Sequence, residues 1–246
     1  MLKIITIITK FILVALTALF LSSCNHSVNL NSIEGSGNVT TEKRNVEDNF
    51  TNVEVNNGID LIIKQSETTE IIVEADDNLQ EHITTTIENG TLIISCDKNL
   101  LMDLTAKKVR VRMPVIEALE ATSSSTITTA NTLMGENIRI HSSSAATVEV
   151  NLEADTIICD SSSGSDITIN GKALELKTTA SSGSDIKATN LLANNVTAQV
   201  SSGASISVHA IVNLNAKASS GGDINYAVEP KTIEKNTSSG GSISKG

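Results

Sequence analysis

A small polar cluster, rich in serine and often ending in glycine, returns about every nineteen residues through the second half of the chain, each time followed by an aliphatic. Anchored on that aliphatic, the copies fall at Ile127, Val148, Ile167, Ile186, Ile206, Ile224 and Ile243, with steps of 21, 19, 19, 20, 18 and 19 residues. A period near twenty is too short for the common helical repeats. It suits a coil of short strands in which each turn buries its aliphatics only by stacking on its neighbours. The predicted fold is all-β, a right-handed parallel β-helix (solenoid), its hand following from the strong preference for right-handed crossovers between parallel strands.

Within each repeat, strand-like runs such as 137–140, 156–159 and 174–177 form a second face, and 147–151, 167–169 and 206–208, directly after the corners, a third. Coils stack about 4.8 Å apart, so the six steps from Ile127 to Ile243 predict a rod segment roughly 30 Å long. Only 2% of residues are aromatic, so the interior must be aliphatic. Upstream, short β-branched runs at 53–55, 59–63, 71–73, 83–87, 92–94 and 109–113 read as strands, the last closed by Pro114. Asn57-Gly58 and Asn89-Gly90 lie between such runs; each suits either a tight hairpin or a solenoid corner. Residues 49–114 are therefore expected as a less regular, partly antiparallel β region, and 115–246 as the regular coils.

At the N-terminus, Lys3 and Lys10 accompany an apolar run from Phe11 to Phe20, which reads as an export signal over 1–23. Leu21-Ser22-Ser23-Cys24 resembles the lipobox of bacterial lipoproteins. That resemblance implies lipidation of Cys24 and a membrane partner held through buried methylenes, each contributing about 0.8 kcal/mol. Asn25, where inner-membrane retention signals carry aspartate, implies the outer membrane, with the body facing the periplasm or the cell surface. Residues 24–48 are polar and read as a flexible tether. No stretch of eighteen consecutive apolar residues follows Cys24.

The formal charge of −10 opposes nucleic acid as a partner. Cys96 and Cys159 lack close cysteine or histidine companions and read as small buried side chains rather than a zinc site.

Val53-Glu54-Val55-Asn56-Asn57-Gly58-Ile59-Asp60-Leu61, followed by the Ile71-Ile72-Val73 strand and the Ser-Ser-Gly repeats, resembles the autotransporter adhesin head GIN domain family over about residues 48–246. Gly58, Ile59 and Asp60 stand at the eponymous triplet, with Asp60 in place of asparagine. The resemblance implies a β-helix and an adhesive role.

Three chemistries merit weighing. Asp166, Asp185 and Asp223 fill the slot before the corner aliphatic, where Thr126, Thr147, Ser205 and Ser242 stand in other copies, so carboxylates could form a column that takes Ca²⁺. Against this, calcium-binding glycine- and aspartate-rich coils repeat every nine residues, and Asp or Ser at corners also caps loose backbone N–H groups while Gly164, Gly183, Gly203, Gly221 and Gly240 permit the bend. Parallel β-helices host polysaccharide lyases, and Arg139, before Asp160 and Asp166, is the one suggestive residue. However, the chain has no tryptophan and a single tyrosine with which to build a sugar platform. Glu149, Glu153 and Glu175 read as solvated charges, and His26, His82, His141 and His209 as scattered. The expected function is thus a non-catalytic envelope lipoprotein, without cofactor, presenting an extended polar face to a surface, a glycan or an envelope protein. The alternatives are a lyase-like enzyme and a self-associating module, the latter because the last turn at Ile243 presents a sheet edge.

Overall fold

The computed structural model describes residues 33–46, 48–98 and 101–246. The expected signal peptide 1–23, the lipidation residue Cys24 and the tether residues 25–32 lie outside the described residues. From Asn52 onward the chain builds a β-solenoid of about seven turns with mixed parallel and antiparallel pairing.

The repeat anchors form the spine of the fold. In-register parallel pairing places Leu61, Ile127, Val148, Ile167, Ile186, Ile206, Ile224 and Ile243 in one column. All are buried except Ile243, which is partly exposed in the last coil. Strand side chains alternate between faces, so a single aliphatic followed by a polar residue suffices to place one in and the next out. The facing column, before each corner, runs Val53, Leu119, Ile140, Cys159, Thr178, Ala198 and Ala216, so the interior narrows toward the C-terminal coils. Cys159 is free and fully enclosed, and burial, with Asp160 beside it, pushes its thiol pKa up. Cys96 is likewise free and buried.

The N-terminal end is irregular, as expected. Strand Lys107–Met113 pairs in parallel with Asp60–Gln65 but antiparallel with Glu70–Asp76. Strand Ile83–Glu88 turns back on Thr91–Cys96 as a hairpin. The two Asn-Gly pairs therefore part ways. Asn89-Gly90 closes that hairpin, whereas Asn57-Gly58 is the first solenoid corner, both with left-handed φ values.

Part of the expected tether belongs to the sheet. Val39–Arg44 pairs antiparallel with Glu70–Asp76, and Ile33–Glu34 pairs with Leu101–Met102. Val39–Arg44 is an edge strand with four of its six residues exposed and none buried, so it lacks the aliphatic alternation by which sheet strands are recognised. A 3-10 helix at Asp77–His82 follows, its sole aliphatic, Leu79, buried. The buried Gln80 side chain holds it in place, donating through Nε2 to the carbonyls of Thr40 (2.9 Å) and Val73 (3.3 Å). Just before it, the carboxylate of buried Asp76 accepts N–H bonds from Gly37 (2.8 Å), Thr105 (2.9 Å) and Ala106 (3.0 Å), tying three segments together.

Candidate functional site

Every corner uses one geometry. Its two central residues are both left-handed: Asn57 and Gly58, Ser123 and Ser124, Ser144 and Ala145, then Ser163-Gly164, Ser182-Gly183, Ser202-Gly203, Ser220-Gly221 and Ser239-Gly240, with φ between 48° and 77°. This is the backbone of a type I′ turn. In six of these eight corners a hydrogen bond from the fourth residue to the first closes the turn, as in Ser125 N–H to the Thr122 carbonyl (3.2 Å) and Gly222 N–H to the Ser219 carbonyl (2.9 Å). Glycine is thus not what permits the bend. Serine or asparagine holds the first left-handed position throughout, and corners with no glycine fold alike.

The corners also continue the sheet. The Ser124 amide donates to the Ser144 carbonyl (3.0 Å), Ala145 to Ser163, Gly164 to Ser182, Gly183 to Ser202 and Gly203 to Ser220 (each 3.1 Å), so the backbone ladder passes round the bend from coil to coil. The expected capping of corner amides holds in part for serine: Ser165 Oγ accepts the Ser162 N–H (3.3 Å) and Ser184 Oγ the Ser181 N–H (3.2 Å), while neighbouring backbone carbonyls accept the N–H groups at the bend itself. The serines that do cap point inward. Ser165 Oγ donates to the carbonyls of Ser142 (2.8 Å) and Ser162 (2.8 Å), and Ser184 Oγ to Ser161 (2.8 Å). Ser165→Ala is expected to cost about 1–2 kcal/mol, since a buried hydroxyl that bonds neighbouring backbone groups is lost, as read from urea unfolding.

The triplet Gly58-Ile59-Asp60 is the same corner one coil earlier. Register aligns Asp60 with Thr126, and the column continues through Thr147, Asp166, Asp185, Ser205, Asp223 and Ser242. Ile59 points into the core, at the position held by Ser165 and Ser184 later. Lys107 Nζ donates to the Asn57 carbonyl (2.7 Å) beneath this turn, and burial lowers the lysine pKa. The equivalence was visible in the sequence as Gly-x-Asp at 58–60, 164–166, 183–185 and 221–223.

Of the three carboxylates that the sequence singled out in this column, Asp166 and Asp185 are on adjacent coils, while Ser205 stands between Asp185 and Asp223. Each has a local partner: Lys187 Nζ lies 3.5 Å from Asp166, the Ser205 hydroxyl bonds Asp185, and Asn225 Nδ2 donates to Asp223 at 2.8 Å. Among the described residues no group of three or more His, Cys, Asp or Glu side chains converges to hold a metal. Arg139 reaches Asp160 (3.8 Å) on the strand before the corner, whereas Asp166 lies on the strand after it, so Arg139 and Asp160 share a face that Asp166 does not. His141 stands in register between Glu120 and Asp160 on neighbouring coils.

A different feature went unnoticed in the sequence. On the edge opposite the corners, where each coil passes from one long face to the other, an aliphatic points into water coil after coil: Val115, Met134, Leu174, Leu192, Ile211 and Val228, 37–61% exposed. Among the described residues these are six of the seven large hydrophobics so exposed, Val39 being the other. The coil between Met134 and Leu174 presents Glu153, Ala154 and Asp155 instead. Met134, Leu174, Leu192 and Ile211 stand around a shallow hollow of about 510 Å³ over Ala154 and Ala173. An adjoining hollow of about 460 Å³ shares Met134 and runs on past Val115. Four carboxylates, Glu117, Glu136, Glu153 and Asp155, rim the two hollows, against one ammonium, Lys172, which lies 4.0 Å from Glu153. The signal was partly legible: 115, 134, 174, 192, 211 and 228 recur at steps of 19, 40, 18, 19 and 17 residues, the 40 spanning the skipped coil, and drift against the corners.

Residues 49–230 match the family model described as "Putative auto-transporter adhesin, head GIN domain". The chain belongs to this family. Solved structures share the fold. One, titled a putative adhesin from Bacteroides fragilis NCTC 9343, is 21% identical over 87% of this chain and 99% of its own, with a TM-score of 0.80. A putative adhesin from Parabacteroides merdae ATCC 43184 is 20% identical over 87% and 99%, with a TM-score of 0.71. A structure titled a putative lipid binding protein, from Parabacteroides distasonis ATCC 8503, is 21% identical over 88% and 100%, with a TM-score of 0.70. No curated protein matches the chain.

Proposed function

We propose that this protein is a non-catalytic, adhesin-class binding module of the cell envelope, held on the outer membrane by acylated Cys24 and engaging an envelope or surface partner along the side of its solenoid. The observation that carries this reading is the line of exposed aliphatics on one edge. Contiguous apolar surface is unfavourable in water and marks contact sites, whereas single exposed aliphatics are ordinary. Outward aliphatics elsewhere, such as Ile62, Ile72, Ile93 and Ile158, are half-buried, so the concentration of exposed ones on one edge is positional. Family membership and the fold shared with adhesin-titled structures support the same class.

Two measurements test it. Cys24→Ser is expected to move the protein from the membrane fraction to the soluble fraction, and retention in the membrane would reject the anchor. The Leu174→Gln, Leu192→Gln double variant is expected to bind purified cell envelopes about tenfold or more weakly, because each buried leucine contributes about 1.5–3 kcal/mol. Undiminished binding would remove the edge from the function.

A further inference from the structure

We infer that the apolar edge is a docking strip for a cationic amphipathic helix of a partner protein. This rests on the binding-module reading and names the partner that the same edge takes. The first argument is spacing. Coils stack about 4.8 Å apart, so the six steps from Val115 to Val228 rise roughly 29 Å along the axis, with Met134 and Leu192 in one register column and Leu174 two residues along from it. A helix offers one apolar side chain per turn, about 5.4 Å apart, and about twenty of its residues cover that length. If the two are aligned at the middle, the mismatch of about 0.6 Å per coil stays below about 2 Å at either end, within the reach of flexible Met and Leu side chains. An extended strand shows one face only every second residue, about 6.8 Å, and loses step within two coils.

The second argument is relief. Gly135, Ala154 and Ala173 leave the hollow floor low between Met134, Leu174, Leu192 and Ile211, so side chains of a helix ridge can enter between the projecting aliphatics.

The third argument is charge, and it selects among occupants. Glu117, Glu136, Glu153 and Asp155 rim the strip, and the sole ammonium there, Lys172, is already beside Glu153. A second copy of this chain would bring the same acidic rim and a formal charge of −10 against itself. An anionic bilayer is repelled in the same way. A helix with leucine-like residues on one face and lysine or arginine beside it satisfies both the apolar floor and the acidic rim.

The test uses the full chain carrying Cys24→Ser, so that it stays free of lipid, and a labelled twenty-residue peptide of Leu and Lys whose leucines lie on one helical face. Fluorescence anisotropy is expected to show saturable binding, weakened about tenfold or more by Leu174→Gln with Leu192→Gln, and likewise for a scrambled peptide of the same composition. Glu136→Lys with Glu153→Lys, which leaves the apolar residues in place, is expected to weaken binding comparably and serves if the leucine variant does not fold. Equal affinity for the scrambled peptide, or affinity unmoved by either double variant, overturns the inference. So does a dimer in sedimentation, or binding to phosphatidylglycerol vesicles, that the leucine variant abolishes. Either of those last two outcomes, together with leucine-dependent envelope binding, leaves the binding-module reading standing.

Discussion

Gly171→Ala is expected to destabilise the solenoid by roughly 3–5 kcal/mol, a loss seen as a lower urea midpoint with an unchanged slope. Register places Gly171 in the column of Leu133, Leu152 and Leu191, where the other coils carry a leucine. Its φ is +129°, and a Cβ there would stand 1.8 Å from the Leu152 carbonyl oxygen and 2.9 Å from its carbon. Neither contact is relieved by rotating a side chain, since both atoms belong to the ladder that joins the coils. The backbone penalty alone is about 1–3 kcal/mol, and the clash adds to it. Gly164→Ala supplies the contrast: its φ is +68°, nothing lies within 4 Å of an added Cβ, and Ser124 and Ala145 already hold the equivalent position. That change is expected to cost about 1 kcal/mol. Equal losses at the two sites would contradict the close approach at Gly171.

Asp76→Asn is expected to cost about 2–4 kcal/mol, because three backbone N–H groups converge on one buried carboxylate and an amide can accept only through its single oxygen. Burial raises the Asp76 pKa, but the bonds from Ala106, Gly37 and Thr105 outweigh it, and the net shift is downward from 3.8. A carboxyl depressed in the folded state contributes its full stabilisation above the unfolded value of about 3.9, and that contribution fades as pH falls through the lower folded value. The gap between native protein and Asp76→Asn should thus be constant from pH 7 to pH 5 and close below about pH 4. A gap that widened in acid would show that the carboxylate is not the stabilising form.

The coil period was legible because it is written in residues with a single preferred side of the wall. Ile167, Ile186 and Ile206 cannot face water in a regular stack without turning a whole strand over, so their spacing reports the register directly. The Asn89-Gly90 hairpin was legible only as one of two outcomes, since both a hairpin and a corner of this solenoid require two left-handed residues. Val39–Arg44 was hidden because an exposed edge strand obeys backbone pairing rather than burial. The corner mechanism was partly hidden for a related reason: glycine drew attention as the flexible residue, while the invariant demand falls on the serine or asparagine before it. The apolar edge was masked by its composition. Met, Leu, Ile and Val inside strand-like runs read as interior, and only the passage from one long face to the other turns Met134, Leu174, Leu192 and Ile211 outward.

Under the anchoring proposed at Cys24, the Asp76 knot would also set how the body meets mechanical load. Tension arriving from residues before Ile33 passes through Ser36, Gly37 and Asn38, which are held by the carboxylates of Asp76 and Asp77, before it reaches the strand Val39–Arg44. Drag on a tethered particle would thus be borne by a compact clasp at the base, and the stacked coils beyond it would be spared from unravelling until that clasp opens.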